Sequence, residues 1–114
     1  MYTEKLLVFL QYLALLDLKT KDYKVCLYLL GKLSYKKYKK INQRELAEEL
    51  DIGKADVSNA INKLIDLEIL IINPETAYKV KRKELMLKDY EEDKLEEMIE
   101  ELIEENEPLR FRSY

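Results

Sequence analysis

The sequence has no histidine, only two glycines, Gly31 and Gly53, and a single cysteine, Cys26. It therefore lacks the side chain that most often exchanges protons near neutral pH, and it has no glycine-rich loop to hold a phosphate. One cysteine excludes both an internal disulfide and a cysteine cluster for zinc, which fits a reducing compartment. We predict a cytoplasmic protein that is not an enzyme and has no cofactor, metal site or catalytic residue.

A long hydrophobic run is also missing. The leucine-rich residues 6–16 are interrupted by Gln11 and followed by Asp17, and they fall short of the roughly 20 apolar residues that span a bilayer. Glu4 stands where a signal peptide would carry positive charge. We therefore expect no membrane insertion. At 114 residues, 47% hydrophobic and 38% charged, the chain is predicted to form one soluble domain.

Charge is unevenly distributed along the sequence. The formal net charge is −3, but residues 1–90 carry 17 basic and 13 acidic side chains, whereas residues 91–114 carry 3 and 10. The first part has a balance of +4 and the second of −7. This separation indicates a basic surface suited to an anionic partner and an acidic appendage.

The two ends of the chain have helical periodicity. Residues 3–18 are apolar on more than half of the helix circumference, which indicates burial on several sides or against a second subunit. Residues 90–105 form an apolar stripe surrounded by glutamates, which DNA would repel. We expect the two helices to pack together, within one chain or across a homodimer. The predicted dimer interface comprises Leu6, Phe9, Leu10, Leu13, Leu95, Ile99 and Leu102.

The middle of the chain reads as a helix-turn-helix. A scaffold helix is predicted over residues 22–33, and Asn42 followed by Glu45 has the capping-box pattern that begins the next helix. Ile52 fills the turn, and Gly53 is expected to permit the sharp reversal into a further helix. That further helix, residues 54–67, is apolar on one face.

The opposite face of residues 54–67 is small and polar, with Ala55, Ser58, Asn59, Asn62 and Asp66. A helix that meets only water usually carries Glu and Lys there, because their helix propensity is better than that of Ser and Asn. The choice of Ser58, Asn59 and Asn62 therefore favours hydrogen bonding to a partner.

A hairpin is predicted after this helix. Residues 69–72 are apolar and β-branched, residues 73–76 supply a proline turn, and residues 77–83 are expected to return as a strand. Strand alternation would place Lys79, Lys81 and Lys83 on one face, where together with Arg82 they could reach DNA phosphates. The same lysines could instead protect an edge strand from aggregation.

A second basic segment is predicted as a loop over residues 34–40. It contains four lysines, Lys36, Lys37, Lys39 and Lys40. Such a loop can lie along a phosphate backbone, or it can be an ordinary solvated loop.

Residues 43–52, with the sequence QRELAEELDI, and residues 57–64, with VSNAINKL, resemble the winged helix-turn-helix superfamily of DNA-binding proteins. Residues 23–86 are similar to replication and maintenance proteins of the RepL type from plasmids and phages of low-GC Gram-positive bacteria. The resemblance implies that Lys54 touches the DNA backbone and that Ser58, Asn59 and Asn62 contact base edges, with Lys63 also in the DNA-binding set. Asp51 stands where the family often has glycine.

The sequence thus predicts a mainly α protein with a small β-hairpin wing, of α+β class. We expect an apolar helix within residues 1–20, a winged-helix core over 21–88, an acidic helix within 89–106 and a tail at 107–114. The expected function is sequence-specific binding of double-stranded DNA by a homodimer, in replication, partition or conjugative transfer of a plasmid or phage. A second protein of the same mobile element is a possible partner. Alternatives are a repressor of its own operon and a protein-interaction module.

Overall fold

The computed structural model describes the backbone of residues 2–79 and 82–112, and the side chains of residues 4–79 and 82–105. These residues are mainly helical with a small antiparallel sheet, as predicted for the α+β class. In chain order the elements are α1 (Tyr2–Leu15), α2 (Thr20–Leu30), β1 (Lys39–Ile41), α3 (Gln43–Leu50), α4 (Lys54–Asp66), β2 (Leu70–Ile72), a 3₁₀ turn (Pro74–Thr76), β3 (Lys83–Leu87) and α5 (Glu92–Arg112). They divide into two compact units, one made of α1 and α5 and the other of the elements from α2 to β3. No helix within the described ranges is long and apolar enough to cross a membrane.

The first unit is a pair of helices held together by apolar side chains. Phe9, Tyr12 and Leu13 of α1 and Leu95 of α5 are buried, and the rings of Phe9 and Tyr12 stack with centroids 6.3 Å apart. Helix α5 continues past the predicted end at residue 106, through Arg112. The prediction of a tail from residue 107 is therefore wrong over this backbone, because extending an existing helix is easier than ending it and ordering a new segment.

The sheet of the second unit has the strand order β1-β3-β2, and both pairs are antiparallel. Leu70 pairs with Leu87, and Ile72 pairs with Leu85. Since alternate side chains of a strand point to the same face, Leu85 and Leu87 both reach the core, where they are buried. The central strand β3 thus contributes two side chains to the core.

The predicted returning strand over residues 77–83 is wrong for residues 77–79 and 82, while Val80 and Lys81 lie outside the described residues. The hairpin returns only at Lys83, after the loop is closed by two hydrogen bonds: the Asn73 N–H donates to the Glu84 carbonyl at 2.9 Å, and the Glu84 N–H donates to the Thr76 hydroxyl at 3.0 Å. A strand shifted to residues 77–83 would carry Tyr78 toward the core, but Tyr78 is 96% exposed. The apolar pair Leu85 and Leu87 decides the register.

The predicted loop over residues 34–40 is partly a strand. Lys39 and Lys40 belong to β1, where Lys39 pairs with Leu85 and Ile41 pairs with Lys83. The pairing is favoured because it buries Ile41 and satisfies backbone groups along β3. The loop prediction holds for residues 34–38 and is wrong for Lys39 and Lys40.

The connection between α3 and α4 confirms one local prediction and corrects another. Asn42 begins α3, since its Oδ1 accepts hydrogen bonds from the N–H groups of Arg44 and Glu45 at 3.0 and 3.3 Å. The reversal, however, does not depend on Gly53, whose φ of −70° is open to any residue. The left-handed residue is Asp51, with φ 54° and ψ 50°, a conformation that a short polar side chain tolerates better than most.

Candidate nucleic-acid interface

Helix α4 has one face fixed in the core and one face in solvent. Its inner side chains Val57, Ala60, Ile61 and Leu64 have 0% exposure, as the sequence pattern predicted. On the outer face Lys54, Ala55, Asn59, Asn62 and Asp66 are exposed and Ser58 is half-buried. Because the inner face is closely packed, the outer side chains are held on a rigid support.

The polar groups of this outer face have no partner inside the described part of the chain. The side chains of Ser58, Asn59 and Asn62 make no hydrogen bond or ion pair to described residues. Each asparagine amide offers two N–H donors and a carbonyl acceptor. The face can therefore form hydrogen bonds to another molecule without breaking any in the protein.

A salt bridge connects the start of α4 to the start of α2. The Lys21 ammonium donates to Asp56 Oδ2 at 2.9 Å. This hydrogen bond holds the pKa of the Asp56 carboxyl below its ordinary value. The negative charge of Asp56, which would repel a phosphate, is thus balanced by a cation that the sequence analysis did not identify.

A second pair ties the last turn of α4 to the first turn of α2. The buried carboxylate of Asp22 accepts a hydrogen bond from the Lys19 N–H at 3.1 Å, and its Oδ2 lies 3.5 Å from the Lys63 ammonium. Lys63, predicted as a DNA contact, is therefore engaged with a carboxylate of its own chain. Between α2 and α4 is a cavity of about 130 Å³ lined by Lys19, Lys21, Asp22, Asp56, Asn59 and Lys63.

The four lysines predicted in the loop are exposed but face different surroundings. Lys36 and Lys37 lie in the loop before β1. The Lys39 ammonium donates to the Lys32 carbonyl at 3.2 Å, and Lys39 and Lys40 line a cavity of about 100 Å³ with residues of α2 and α3. This cavity also contains Glu49, which accepts from the Tyr28 hydroxyl and lies 3.6 Å from the Lys32 ammonium. It is a mixed-charge surface.

The basic residues near the hairpin do not form the predicted row. Lys79 is exposed in the loop before β3, Arg82 is exposed, and Lys83 is half-buried at the start of β3. Lys81 lies outside the described residues. Because Lys79 and Lys83 do not share a strand, the prediction of three lysines on one strand face is wrong.

Two basic segments, the loop at residues 34–38 and Lys83 at the start of β3, lie at opposite ends of the sheet, whereas Lys40 pairs with Glu84 beside Lys83. Lys83 pairs with Ile41 at one end of β3, whereas at the other end the Leu87 N–H donates to the Ser34 carbonyl at 2.9 Å. Four strand steps separate Lys83 from Leu87, a distance of ~13 Å. A single ligand that touches both segments must therefore be extended.

The predicted dimer residues divide into two groups. Phe9, Leu13 and Leu95 are buried within the chain, so they are unavailable to a second copy, because α1 and α5 already pack against each other. Leu6 is exposed, and Leu10, Ile99 and Leu102 are half-buried. Leu7, which the prediction omitted, is more exposed than Leu6.

The acidic side chains in the described part of the chain are not clustered around a metal site. No group of three or more Cys, Asp or Glu side chains there is placed to hold a metal ion. Cys26 is buried, and its burial raises the pKa of the thiol to about 11. The thiol is therefore protonated and unreactive at neutral pH.

Comparison of the chain with models of protein families, with curated proteins and with solved structures gives no match.

Proposed function

We propose that the unit from α2 to β3 is a winged helix that binds double-stranded DNA with α4 in the major groove. The order α2-β1-α3-α4-β2-β3, with β3 between the other two strands, supports this assignment together with the resemblance of residues 43–52 and 57–64 to that superfamily. The α3-turn-α4 pair is the helix-turn-helix, and the β2–β3 hairpin is the wing.

The observation that carries the proposal is the outer face of α4. An α-helix fits the major groove of B-DNA, and an asparagine side chain there can form two hydrogen bonds to adenine. Asn59 and Asn62 are exposed on a helix whose opposite face is fully buried. They have no internal partner to give up, so their amide groups are available for contacts with bases.

Phosphate contacts supply the sequence-independent part of the proposed affinity. Lys54 at the start of α4, Lys79 and Arg82 in the wing, and Lys36 and Lys37 before β1 are all exposed, and such cations fix the register of a protein on DNA. Lys63 has a different role in this proposal. Because Asp22 holds its ammonium, Lys63 positions α4 against α2.

The biological process is proposed from the resemblance alone. It favours maintenance of a plasmid or phage, through replication, partition or conjugative transfer, with repression of the protein's own operon as the alternative. A second protein of the same element would be the natural partner in replication, partition or transfer.

The test is fluorescence anisotropy of the purified protein with duplexes tiled across the DNA flanking its own gene, against a scrambled duplex at two salt concentrations. We expect one tile to bind tightly and to retain binding at the higher salt, because base contacts add to the salt-sensitive phosphate contacts. The position of that tile indicates the process. Equal weak binding to every duplex would contradict sequence-specific recognition.

One observation favours a second candidate, a protein-assembly module. The exposed leucines of α1 and the exposed glutamates of α5 offer surfaces that do not suit DNA. If no duplex is bound at either salt concentration, the assembly function replaces DNA binding as the preferred function.

A further inference from the structure

The cavity between α2 and α4 is lined by more positive than negative charge. Its walls carry three ammonium groups, two carboxylates and one amide, from Lys19, Lys21, Lys63, Asp22, Asp56 and Asn59. Three positive and two negative charges leave the lining with a formal charge of +1. At about 130 Å³, the cavity has room for several groups of the size of a water molecule.

Two of the three ammonium groups are already paired with the two carboxylates. Lys21 lies 2.9 Å from Asp56 Oδ2, and Lys63 lies 3.5 Å from Asp22 Oδ2. The exposed Lys19 ammonium forms no ion pair with a residue that the structure describes. Its charge contributes to the lowered pKa of Asp56, after the larger effect of the Lys21 hydrogen bond. The surplus positive charge of the cavity is therefore that of Lys19.

Asn59 brings a hydrogen-bond donor to the same cavity. Its amide has no partner within the described part of the chain, and it offers two N–H groups. The Lys19 ammonium offers three more. Donors from the start of α2 and from the outer face of α4 thus meet in one place, and a ligand can use them without breaking a bond in the protein.

The position of Lys19 is fixed by the buried side of the cavity. Asp22 is 6% exposed, and its Oδ2 accepts a hydrogen bond from the Lys19 backbone N–H at 3.1 Å. The same carboxylate faces Lys63 of α4. One buried group therefore holds the backbone of Lys19 beside α4, so the donors are arranged before a ligand arrives.

The charge of the lining and its place on α4 indicate the class of ligand. Each phosphate of a DNA backbone carries one negative charge, and its oxygens accept hydrogen bonds, so a single phosphodiester would neutralise the lining. In the proposed function the outer face of α4 lies in the major groove, which is bordered by the two backbones. Asn59 is exposed on that face and also lines the cavity.

We propose that this cavity binds one backbone phosphate of double-stranded DNA, with Lys19 and Asn59 as the donors. The proposal rests on the proposed function and refines it: Asn59 contacts the backbone, and Asn62 remains for the bases. Lys21 and Lys63 stay with their carboxylates and form the walls of the site. The contact sets the register of α4 in the groove, as phosphate contacts generally do.

Anisotropy titrations of Lys19→Gln test the charge of the site, with Lys24→Gln as the matched control. Lys24 is an exposed lysine of α2 that does not line the cavity. Lys19→Gln should weaken the tightest-binding tile and the scrambled duplex by the same factor, and lower the slope of log affinity against log salt by about 0.9. Across a fourfold change in salt, this is about a 3.5-fold difference in affinity. Lys24→Gln and Lys19→Arg should keep the wild-type slope.

Asn59→Ala tests the second donor. It should weaken the tile and the scrambled duplex severalfold by the same factor and leave the salt slope unchanged, because the amide is neutral. A base contact would give a different result, since its loss weakens the tile alone. Circular dichroism and thermal melts show whether each variant retains the fold.

Replacing single phosphates of the tile by neutral methylphosphonates locates the contact. At one position the replacement should weaken binding of the wild type and have no further effect on Lys19→Gln, as expected when the two changes remove the same interaction. If no position behaves in this way, the cavity does not hold a phosphate.

Failure of this proposal differs from failure of the proposed function. If the wild type binds DNA but Lys19→Gln keeps the wild-type slope, or Asn59→Ala weakens only the tile, the phosphate site is wrong and DNA binding stands. If the wild type binds neither duplex, the proposed function is wrong and the site is wrong with it.

Discussion

Helices α4 and α1 both have an apolar face, but they use it differently. In α4 the apolar residues Val57, Ile61 and Leu64 have 0% exposure, whereas in α1 Leu6 and Leu7 remain about half exposed. The outer face of α4 is small and polar, while the exposed flank of α1 is apolar. Of these two helices, α4 buries its apolar residues and exposes polar ones, whereas α1 leaves part of its apolar surface exposed.

We propose that the two surfaces suit two kinds of partner. Exposed asparagines on a fixed support suit the base edges of DNA, and exposed leucines without charge suit a second apolar surface.

The largest expected effect is a loss of folding stability at the buried face of α4. Leu64→Ala should lower the free energy of unfolding by ~2–5 kcal/mol, because it leaves a cavity in a closely packed core. Leu7→Ala, at an exposed site of α1, should change it by less than ~0.5 kcal/mol in the monomer. Urea denaturation at low protein concentration measures both. Equal losses would show that α1 is packed as tightly as α4.

A second prediction concerns the salt dependence of DNA binding. Neutralising Lys79 and Arg82 together should lower the slope of log affinity against log salt by about 2, since each phosphate contact contributes about 0.9. Across a fourfold change in salt, this corresponds to about a tenfold difference in affinity. Lys94→Ala, on the acidic helix α5, is the matched control and should leave the slope unchanged. An unaltered slope in the double variant would show that Lys79 and Arg82 do not contact phosphates.

A smaller effect is expected at the turn that sets the direction of α4. Asp51→Gly should stabilise the fold by on the order of 1 kcal/mol, because glycine adopts a left-handed conformation without the steric cost of a Cβ atom. Gly53→Ala is the comparison, since its φ of −70° suits alanine and its Cβ would meet the Asp56 carboxylate, with Oδ2 at 3.1 Å. Thermal melts of both variants measure the change in folding stability. Destabilisation by Asp51→Gly would show that the Asp51 side chain has a role of its own.

The smallest predicted effect concerns the salt bridge at the start of α4. Lys21→Ala should weaken DNA binding severalfold by leaving the Asp56 carboxylate unbalanced, and Asp56→Asn should strengthen it severalfold. If Lys21 acts only through Asp56, Lys21→Ala should have no effect in the Asp56→Asn background. Anisotropy titrations of the four proteins complete this double-mutant cycle. An undiminished effect in that background would instead make Lys21 a direct phosphate contact.

Local rules accounted for the parts of the fold that depend on near neighbours. Asn42 as a helix cap and the buried line of Val57, Ile61 and Leu64 follow from spacings within a few residues. The prediction that Gly53 permits the reversal was wrong, because the left-handed residue is Asp51, two positions earlier. A signal was present, because Asp51 stands where the superfamily that the sequence resembles often has glycine.

Features that depend on distant residues could not be predicted in this way. The β-propensity of single residues does not reveal that Lys39 pairs with Leu85 or that the returning strand begins at Lys83. Both features are determined by the pairing of β3 with its two neighbouring strands. The bond between Lys21 and Asp56 joins residues 35 positions apart. Neither residue carries a local pattern that indicates the other.

The central claim, that α4 reads DNA sequence, is tested most directly by the specificity ratio of Asn62→Ala. The ratio compares the affinity for the tightest-binding tile with that for a scrambled duplex at one salt concentration. We predict that Asn62→Ala weakens binding to the tile by ~1–3 kcal/mol and leaves the scrambled duplex unchanged, while Gln11→Ala, which removes an exposed amide from α1, changes neither. An Asn62→Ala variant with the wild-type ratio would contradict the assignment of α4 as the reading helix.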